Sequence, residues 1–598
     1  MSTQEQIAQL LRKAYESYNK NDLETAKNHY NEVLKIDEKS SEALGNLGVI
    51  ERKLGDNQKA YECYIKAINI NPKNSMIYNN LGNLLKDTKN YKAALKVYAD
   101  GIKVEPKNYH GYNNMGMVFE KLNDDEKAIL AYKDAVRVNP KFDKAVNNIG
   151  VILYKQKKYQ QAIDIFQIAL NINPKYTELY SNMGACFNKL KKYDEAIEHL
   201  EKAIDSNPKN AGAYTNLGNV YNKLHDYKKA AKFHEKSIEL DSVGYNAYSN
   251  VGTSYKNLGF TTKAISSYKK AIELKPDFEN AHFDLATMYL SKGDFVNGWK
   301  EYEWRFRKEE MYGHIINNKD IFSSTMFTGK EDVKGKTILL HSEQGFGDSI
   351  QLIRFLPQFK EKFSCKIAVK CRDELKELFK NIKEIDVLTN RSEDTPKFDY
   401  HLSIMSMPYI LGIKKSNELI TKTPYLEIKN ENIFGIKKEK GKINIGICWS
   451  ASVTSESYEE RVLELKSFLP LINNNKINVY SLQLGPDRED IKNLRIEDKI
   501  IDLTDKLTDF SKTASLVQNL DLVVSSDTSI VHLCGALDIP TWVMVPKIPD
   551  WRWQIKGENS AWYKSVRIFR QKQNRVWETV FQSLLAKMNK EYKLKLKI

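Results

Sequence analysis

Two short stretches carry residue types that can do chemistry together. The first is Gln344-Gly-Phe-Gly-Asp348, a glycine-rich turn that ends in a carboxylate. A carboxylate there can take a proton from a hydroxyl nucleophile, or it can simply cap the helix that follows. The second is Asp527-Thr528-Ser529 with His532 close behind, at the end of an apolar run. Free backbone N–H groups, the positive end of a helix dipole and an imidazole donor suit a pyrophosphate; the same residues also describe an ordinary N-cap with a packed histidine. A diphosphate bound there would need positive charge, which the amides of 528–530 can supply. No Asp-x-Asp occurs in residues 313–598, so no metal is expected, nor any other cofactor.

These residues need strands and helices to hold them. Residues 337–341 read as a short strand, and 349–356 open a helix with Ile350, Ile353 and Leu356 on one side. Further strand-like runs fall at 366–371, 398–404, 443–449, 479–484, 500–503, 520–526, 541–545 and 566–569. Helical stretches at 373–379, 465–472 and 510–518 alternate with them, which implies parallel sheets. A charged stretch at 429–442 divides the region, giving halves 336–435 and 436–598 after a polar linker at 313–335. Gly335-Lys336-Thr337 mimics the end of a phosphate loop. Its glycines precede the strand and are misspaced, which rejects a nucleoside-triphosphatase.

Residues 1–312 are different: they repeat. Gly48, Gly82, Gly116, Gly150, Gly184, Gly218 and Gly252 stand 34 residues apart, and the alanine series from Ala60 to Ala264 keeps the same step. Pro72, Pro106, Pro140, Pro174 and Pro208 follow it, Ser242 breaks it and Pro276 resumes it. This is the tetratricopeptide pattern, with small residues where two helices cross and proline where the second must stop. Seven repeats cover 41–278, a degenerate one precedes them at 7–40 and another follows at 279–312. Trp299, Tyr302, Trp304 and Phe306 in that last repeat are expected to cover the end of the solenoid.

Asn46, Asn80, Asn114, Asn148, Asn182, Asn216 and Asn250 each precede the repeating glycine by two residues. A helical wheel turns Asn114 away from the core face of Tyr112, Met115, Gly116 and Phe119. Asparagine has no propensity reason to recur on a helix, and the residue before it drifts through Gly45, Asn79, Asn113, Asn147, Ser181, Thr215 and Ser249. An amide offers one acceptor and two donors, enough to hold the backbone of an extended polypeptide whatever its side chains. Over roughly 7–300, motifs such as Tyr-Asn-Asn-Leu-Gly (78–82) and Tyr-Ser-Asn-Met-Gly (180–184) resemble the repeats of O-GlcNAc transferase, which implies an asparagine ladder for an acceptor protein. That enzyme's catalytic signatures have no counterpart here.

Net charge is +15 with an isoelectric point near 9.0, but the lysines are spread along the whole chain. No basic run is interleaved with aromatics, so nucleic acid is not expected as a partner. Six scattered cysteines without metal spacing, no signal peptide and no long apolar run point to a reduced, cytoplasmic protein without a transmembrane segment.

Residues 336–590 resemble the heptosyltransferase-type family of GT-B glycosyltransferases. The likeness is carried by 343–348, Ile445-Gly-Ile-Cys-Trp449 and the 521–540 motif, with Pro549-Asp-Trp-Arg-Trp553 and Trp562-Tyr563 resembling the subgroup that follows tetratricopeptide repeats. It implies two facing Rossmann-like subdomains, with Asp348 as catalytic base. The donor site it implies comprises Gly347, Trp449, Arg461, Gln483, Asp527, Thr528, Ser529 and His532. Ser450-Ala451-Ser452 departs from the subgroup, which has a small residue and asparagine there. The expectation is a solenoid followed by an α/β enzyme that moves a sugar from a nucleotide-sugar to Ser or Thr of an extended protein segment, by inversion without metal. Two alternatives stand beside it: a glycan or lipid-linked acceptor with the repeats recruiting a partner, and a non-catalytic peptide-binding scaffold.

Overall fold

The computed structural model describes residues 2–308, 324–343, 345–420, 422–429, 431–452, 458–573 and 575–596. Gln344 and the 313–323 part of the expected linker lie outside the described residues. The chain forms two compact units, Met1–Ser242 and Val243–Ile598.

In the first unit, helix pairs recur from Thr3–Asn19 and Leu23–Ile36 through Ala211–Lys223 and Tyr227–Leu240. Each glycine of the 34-residue series faces a large side chain on the second helix of its repeat. A Cβ on Gly48 would meet the Tyr64 ring at 2.6 Å, and one on Gly116 would meet Tyr132 at 2.5 Å. The glycines are therefore set by close approach, not by helix propensity. Second helices end at Ile70, Val104, Val138, Ile172 and Ser206, two residues ahead of each proline. The turn joining the two helices always holds one left-handed residue: Asn21, Gly55, Lys89, Asn123, Lys157, Lys191 and His225. The first helices of consecutive repeats also touch one another, for example Ser75–Asp87 against Tyr109–Lys121.

The second unit opens with two more helix pairs, Tyr245–Leu258 with Thr261–Leu274 and Glu279–Ser291 with Phe295–Tyr302, closed by a 3-10 turn at Glu303–Arg307. Two wholly parallel sheets follow. Strands β1 (Thr337–His341), β2 (Lys366–Cys371), β3 (Val387–Asn390) and β4 (Tyr400–Ser403) pair in the order β3-β2-β1-β4. Strands β5 (Ile443–Cys448), β6 (Ile477–Ser481), β7 (Ile500–Asp502), β8 (Leu522–Ser526), β9 (Thr541–Val545) and β10 (Val566–Arg570) pair in the order β10-β9-β8-β5-β6-β7. That is the doubly wound order, with its reversal between β5 and β8. Among the described strands only β3 escapes the sequence reading. It is short, lies at an edge and is half-exposed, so it lacks a buried strand's apolar run.

The expected cap is core, but its partner differs. Trp299 and Tyr302 are buried against Trp551 beyond β9, with ring centroids 5.3 and 5.9 Å apart, rather than merely sealing the helices. Trp304 stacks on His282 at 3.7 Å. One hydrophobic cluster runs unbroken from Ala286 through the four-stranded sheet to Ile568.

Candidate functional site

Open parallel sheets bind ligands outside the carboxyl ends of their strands, where the strand order reverses. In the six-stranded sheet that point lies between β5 and β8, whose ends pair Cys448 with Ser525. The chain leaves β8 through Asp527 and Thr528 into the helix Ser529–Ala536, and Cys448 Sγ lies 3.9 Å from Thr528 Oγ1. Thr528 is the N-cap, yet its side chain makes no capping bond; Oγ1 lies 3.1 Å from Ser525 Oγ instead. Thr528 and Ser529 are half-buried at this helix start. Arg461 stands over it, with Nε 3.8 Å from Asp527 Oδ2 and Nη1 donating to the Asp527 carbonyl at 3.4 Å.

Trp449 and Gln483 stand one layer behind. The Trp449 ring is fully buried and its indole N–H donates to Asp490 at 3.2 Å. Gln483 Oε1 accepts from the backbone N–H groups of Trp449 at 3.0 Å and Ser450 at 2.9 Å, and its amide donates to the Leu484 carbonyl at 2.9 Å. These bonds fix Trp449 and Ser450 just after β5. Ser450 is itself buried and bonded to Asp487.

The other sheet supplies Asp348. The helix begins earlier than the sequence suggests, at Phe346, and runs to Leu352, placing Asp348 inside its first turn. A negative charge is favoured there by the helix dipole. Its two glycines answer to neighbours rather than to φ. A Cβ on Gly345 would strike Asp348 Oδ2 at 2.6 Å, and one on Gly347 would strike the His532 ring at 2.6 Å. Gly347 thus lets the helix after β1 pack against the helix after β8, bringing the carboxyl edges of the two sheets together.

His532 is buried, with Nδ1 2.9 Å from the Tyr563 hydroxyl and its ring stacked on Trp553. Burial, aided by the charge of Arg552, pushes its pKa down to about 3, so it is a neutral imidazole. Arg552 closes the site. Its Nη2 donates to Asp348 Oδ1 at 2.5 Å, Nη1 to Asp550 at 2.8 Å and Nε to Gln351 at 2.9 Å, while its plane lies 4.2 Å over Trp551. Burial pushes the Asp527 carboxyl up, against the pull of Arg461. Burial acts the same way on Asp550, but the Arg552 guanidinium beside it prevails and holds it below the ordinary range.

A second buried arginine escapes sequence reasoning altogether. Arg305, from the 3-10 turn behind the last repeat, is fully buried and donates from Nη2 to Glu343 at 2.8 Å and to Ser406 at 2.7 Å, and from Nη1 to Glu303 at 2.5 Å. Glu343 also accepts from Ser403 at the end of β4. Burial raises the Glu343 carboxyl, and Arg305 offsets much of this. Glu343, five residues ahead of Asp348, is therefore fixed from the repeat side. An arginine close to Glu303 in an aromatic run reads as a surface residue; Glu343 and Ser406, remote in sequence, give it buried partners. Among the described residues no three His, Cys, Asp or Glu side chains are grouped to hold a metal ion, and no helix is long and apolar enough to cross a membrane.

The asparagine column lies along the first helices, half-buried rather than on an open face, because neighbouring first helices pack together. Asn148 Nδ2 donates to Asn113 at 3.2 Å, Asn182 to Asn147 at 3.1 Å and Asn216 to Ser181 at 3.2 Å. Each therefore spends one donor on the preceding repeat, and Asn148 also bonds the Tyr132 hydroxyl. Asn46, Asn80 and Asn114 occupy the same position in their helices, as Asn250 does in the second unit.

Family models of the tetratricopeptide repeat match residues 48–89, 77–108, 109–142, 144–209, 176–242 and 209–277. Protein FlbA of Caulobacter vibrioides is 23% identical over 319 residues, 48% of this chain and 51% of that protein, so the chain spans about half the length of the curated relative it matches. Among solved structures, a tetratricopeptide repeat protein from Parabacteroides merdae is 20% identical with a TM-score of 0.35, covering 42% of this chain and 99% of that one. YrrB, described as a TPR protein with an unusual peptide-binding site, is 24% identical with a TM-score of 0.26, covering 31% of this chain and 96% of its own. Family match, residue period and helix pairing agree: residues 48–277 are an array of tetratricopeptide repeats, a scaffold of the kind that presents an extended surface to proteins.

Proposed function

We propose that the protein is a glycosyltransferase whose repeats hold an extended protein segment while the α/β region, of GT-B type, glycosylates a Ser or Thr hydroxyl from a nucleotide-sugar. The observation that carries this reading is the meeting of two helix starts, one bearing Asp348 and the other following Asp527, through Gly347 and His532. The acceptor oxygen bonds to the anomeric carbon on the face opposite the diphosphate, and the carbon–oxygen bond to phosphate breaks. Asp348 takes the hydroxyl proton. Arg552 holds one of its oxygens, fixing the carboxylate while the other stays over Gly345. The charge leaving with the diphosphate meets the uncapped amides of 528–530 and the Arg461 guanidinium. Asp348 corresponds to the base of the heptosyltransferase-type family, and inversion without metal follows from that likeness.

The test is a panel of nucleotide-sugars scored by hydrolysis and thermal stabilisation, with Asp348→Asn and Asp527→Asn alongside. One nucleotide diphosphate should raise the melting temperature, by about 2.7 kcal/mol of stability at a hundredfold excess over its Kd. Asp348→Asn should keep that stabilisation and lose turnover. Stabilisation by no member of the panel sinks the catalytic reading. A non-catalytic scaffold is the second reading, favoured by the internal partners that Trp449, Gln483, His532 and Asp348 already have.

A further inference from the structure

The asparagines are not the only column on the first helices. Seven residues further along stand Lys53, Asp87, Lys121, Lys155, Lys189, Lys223 and Asn257. Lysine fills four consecutive repeats, all within the unit Met1–Ser242. Seven residues fall about 20° short of two turns, so asparagine and lysine share one face, about 10 Å apart along the helix axis.

Hydrogen bonds bear this out. Asn148 Nδ2 reaches Asn113 at 3.2 Å and Lys155 Nζ reaches Glu120 at 2.8 Å, each joining a residue to the one 35 earlier. Both columns therefore lie on the line where consecutive first helices meet. The four lysines are exposed, and the turns just beyond add Lys157 and Lys191, also exposed. The helix dipole favours a cation somewhere in a last turn. It does not explain why the cation recurs at the one position that faces along with the asparagines.

We propose that this face selects an acidic, extended protein segment, its backbone on the asparagine column and its Asp or Glu side chains on Lys121, Lys155, Lys189 and Lys223. The inference rests on the peptide-holding part of the function proposed above and adds the chemistry of the partner. Between the two columns, on the same face, stand Met117, Val151, Ala185 and Asn219. These accommodate side chains but offer no aromatic platform on which the bases of a nucleic-acid strand would stack.

The experiment measures fluorescence anisotropy of the full chain with three labelled peptides of equal length, built from Asp and Ser, Asn and Ser, or Lys and Ser, and with a single-stranded DNA oligonucleotide. The variants are K121Q/K155Q/K189Q/K223Q and N114A/N148A/N182A. The Asp/Ser peptide should bind about tenfold or more tightly than the Asn/Ser peptide, in a salt-sensitive way. The lysine variant should lose that preference and keep its binding of the Asn/Ser peptide, which shows it folded. Equal binding of the two peptides, or a preference indifferent to the lysines, overturns the acidic partner; if the asparagine variant still weakens both, the peptide groove survives. Binding of no peptide removes the groove and the inference together. An oligonucleotide that binds through the lysines and displaces the acidic peptide assigns the column to nucleic acid and overturns the proposal.

Discussion

The two units handle charge in opposite ways. In Met1–Ser242 most of the ion pairs among the described residues lie at the surface, as in Lys155–Glu120 and Lys202–Glu198, with the buried Glu51 beside Lys27 as an exception. The core there is a chain of small clusters such as that around Tyr98 and that around Phe166. In Val243–Ile598 a large cluster spans the last helix pair and the four-stranded sheet, and a second lies under the six-stranded sheet. The guanidinium groups of Arg305 and Arg354 are buried, with Arg552 nearly as deep. A repeat makes its contacts with its neighbours, so a site on it is a property of one face and can be edited residue by residue. The α/β unit fixes its candidate site with buried ions whose partners lie far off in sequence. Removing one partner there strands the other.

The largest effect should follow from Arg305→Met, which leaves Glu343 buried without its cation. Denaturant unfolding should show a loss of about 3–5 kcal/mol in the second unit, whereas the surface change Lys155→Met should cost less than about 1 kcal/mol. Equal costs would break the contrast.

One residue of the first unit behaves like the second. His234 takes the place that Tyr132 and Tyr268 fill in other repeats, against the bare Cα of Gly218, and burial pushes its pKa down to about 3. The unfolded chain binds this proton below its ordinary value of 6.5 while the folded chain does not. Stability is therefore fully present above that pH and falls by about 1.4 kcal/mol per pH unit as pH drops toward the folded value. His234→Tyr should remove this share of the acid slope, read as unfolding free energy against pH. An unchanged slope would show that the ring protonates in the fold.

A smaller effect sharpens the packing side of the comparison. Gly116→Ala sets a methyl 2.5 Å from the Tyr132 ring and should cost about 1–3 kcal/mol. Gly212→Ala meets only Asn210 at 3.4 Å and should stabilise the helix by up to roughly 1 kcal/mol. Thermal melts of the pair should move in opposite directions. The smallest effect belongs to the turns. Lys157 holds φ at 62°, where glycine is unstrained, so Lys157→Gly should stabilise by no more than about 0.5 kcal/mol once the freer unfolded chain is counted.

Much of the fold was legible in the residues. The period of 34 fixes the helix pairs, because each repeat is a local unit whose glycine, alanine and proline act on their immediate neighbours. Nine of the ten strands described in the α/β region show as apolar runs, most of them because strands buried on both faces must be apolar. The two helix starts after β1 and β8 were also readable, through Gly347-Asp348 and Asp527-Thr528.

What the sequence could not determine is what each of those residues faces. That Gly347 meets His532, that Arg552 clamps Asp348 and that Arg305 reaches Glu343 depend on segments 38 to 204 residues apart in the chain. The asparagine and lysine columns show the other side of the same rule. Their spacing is written in the sequence, and only the packing of one first helix on the next makes a shared face of them. Local propensity and periodicity are properties of neighbours along the chain, whereas burial, and with it the partner of every buried charge, is decided by the fold as a whole.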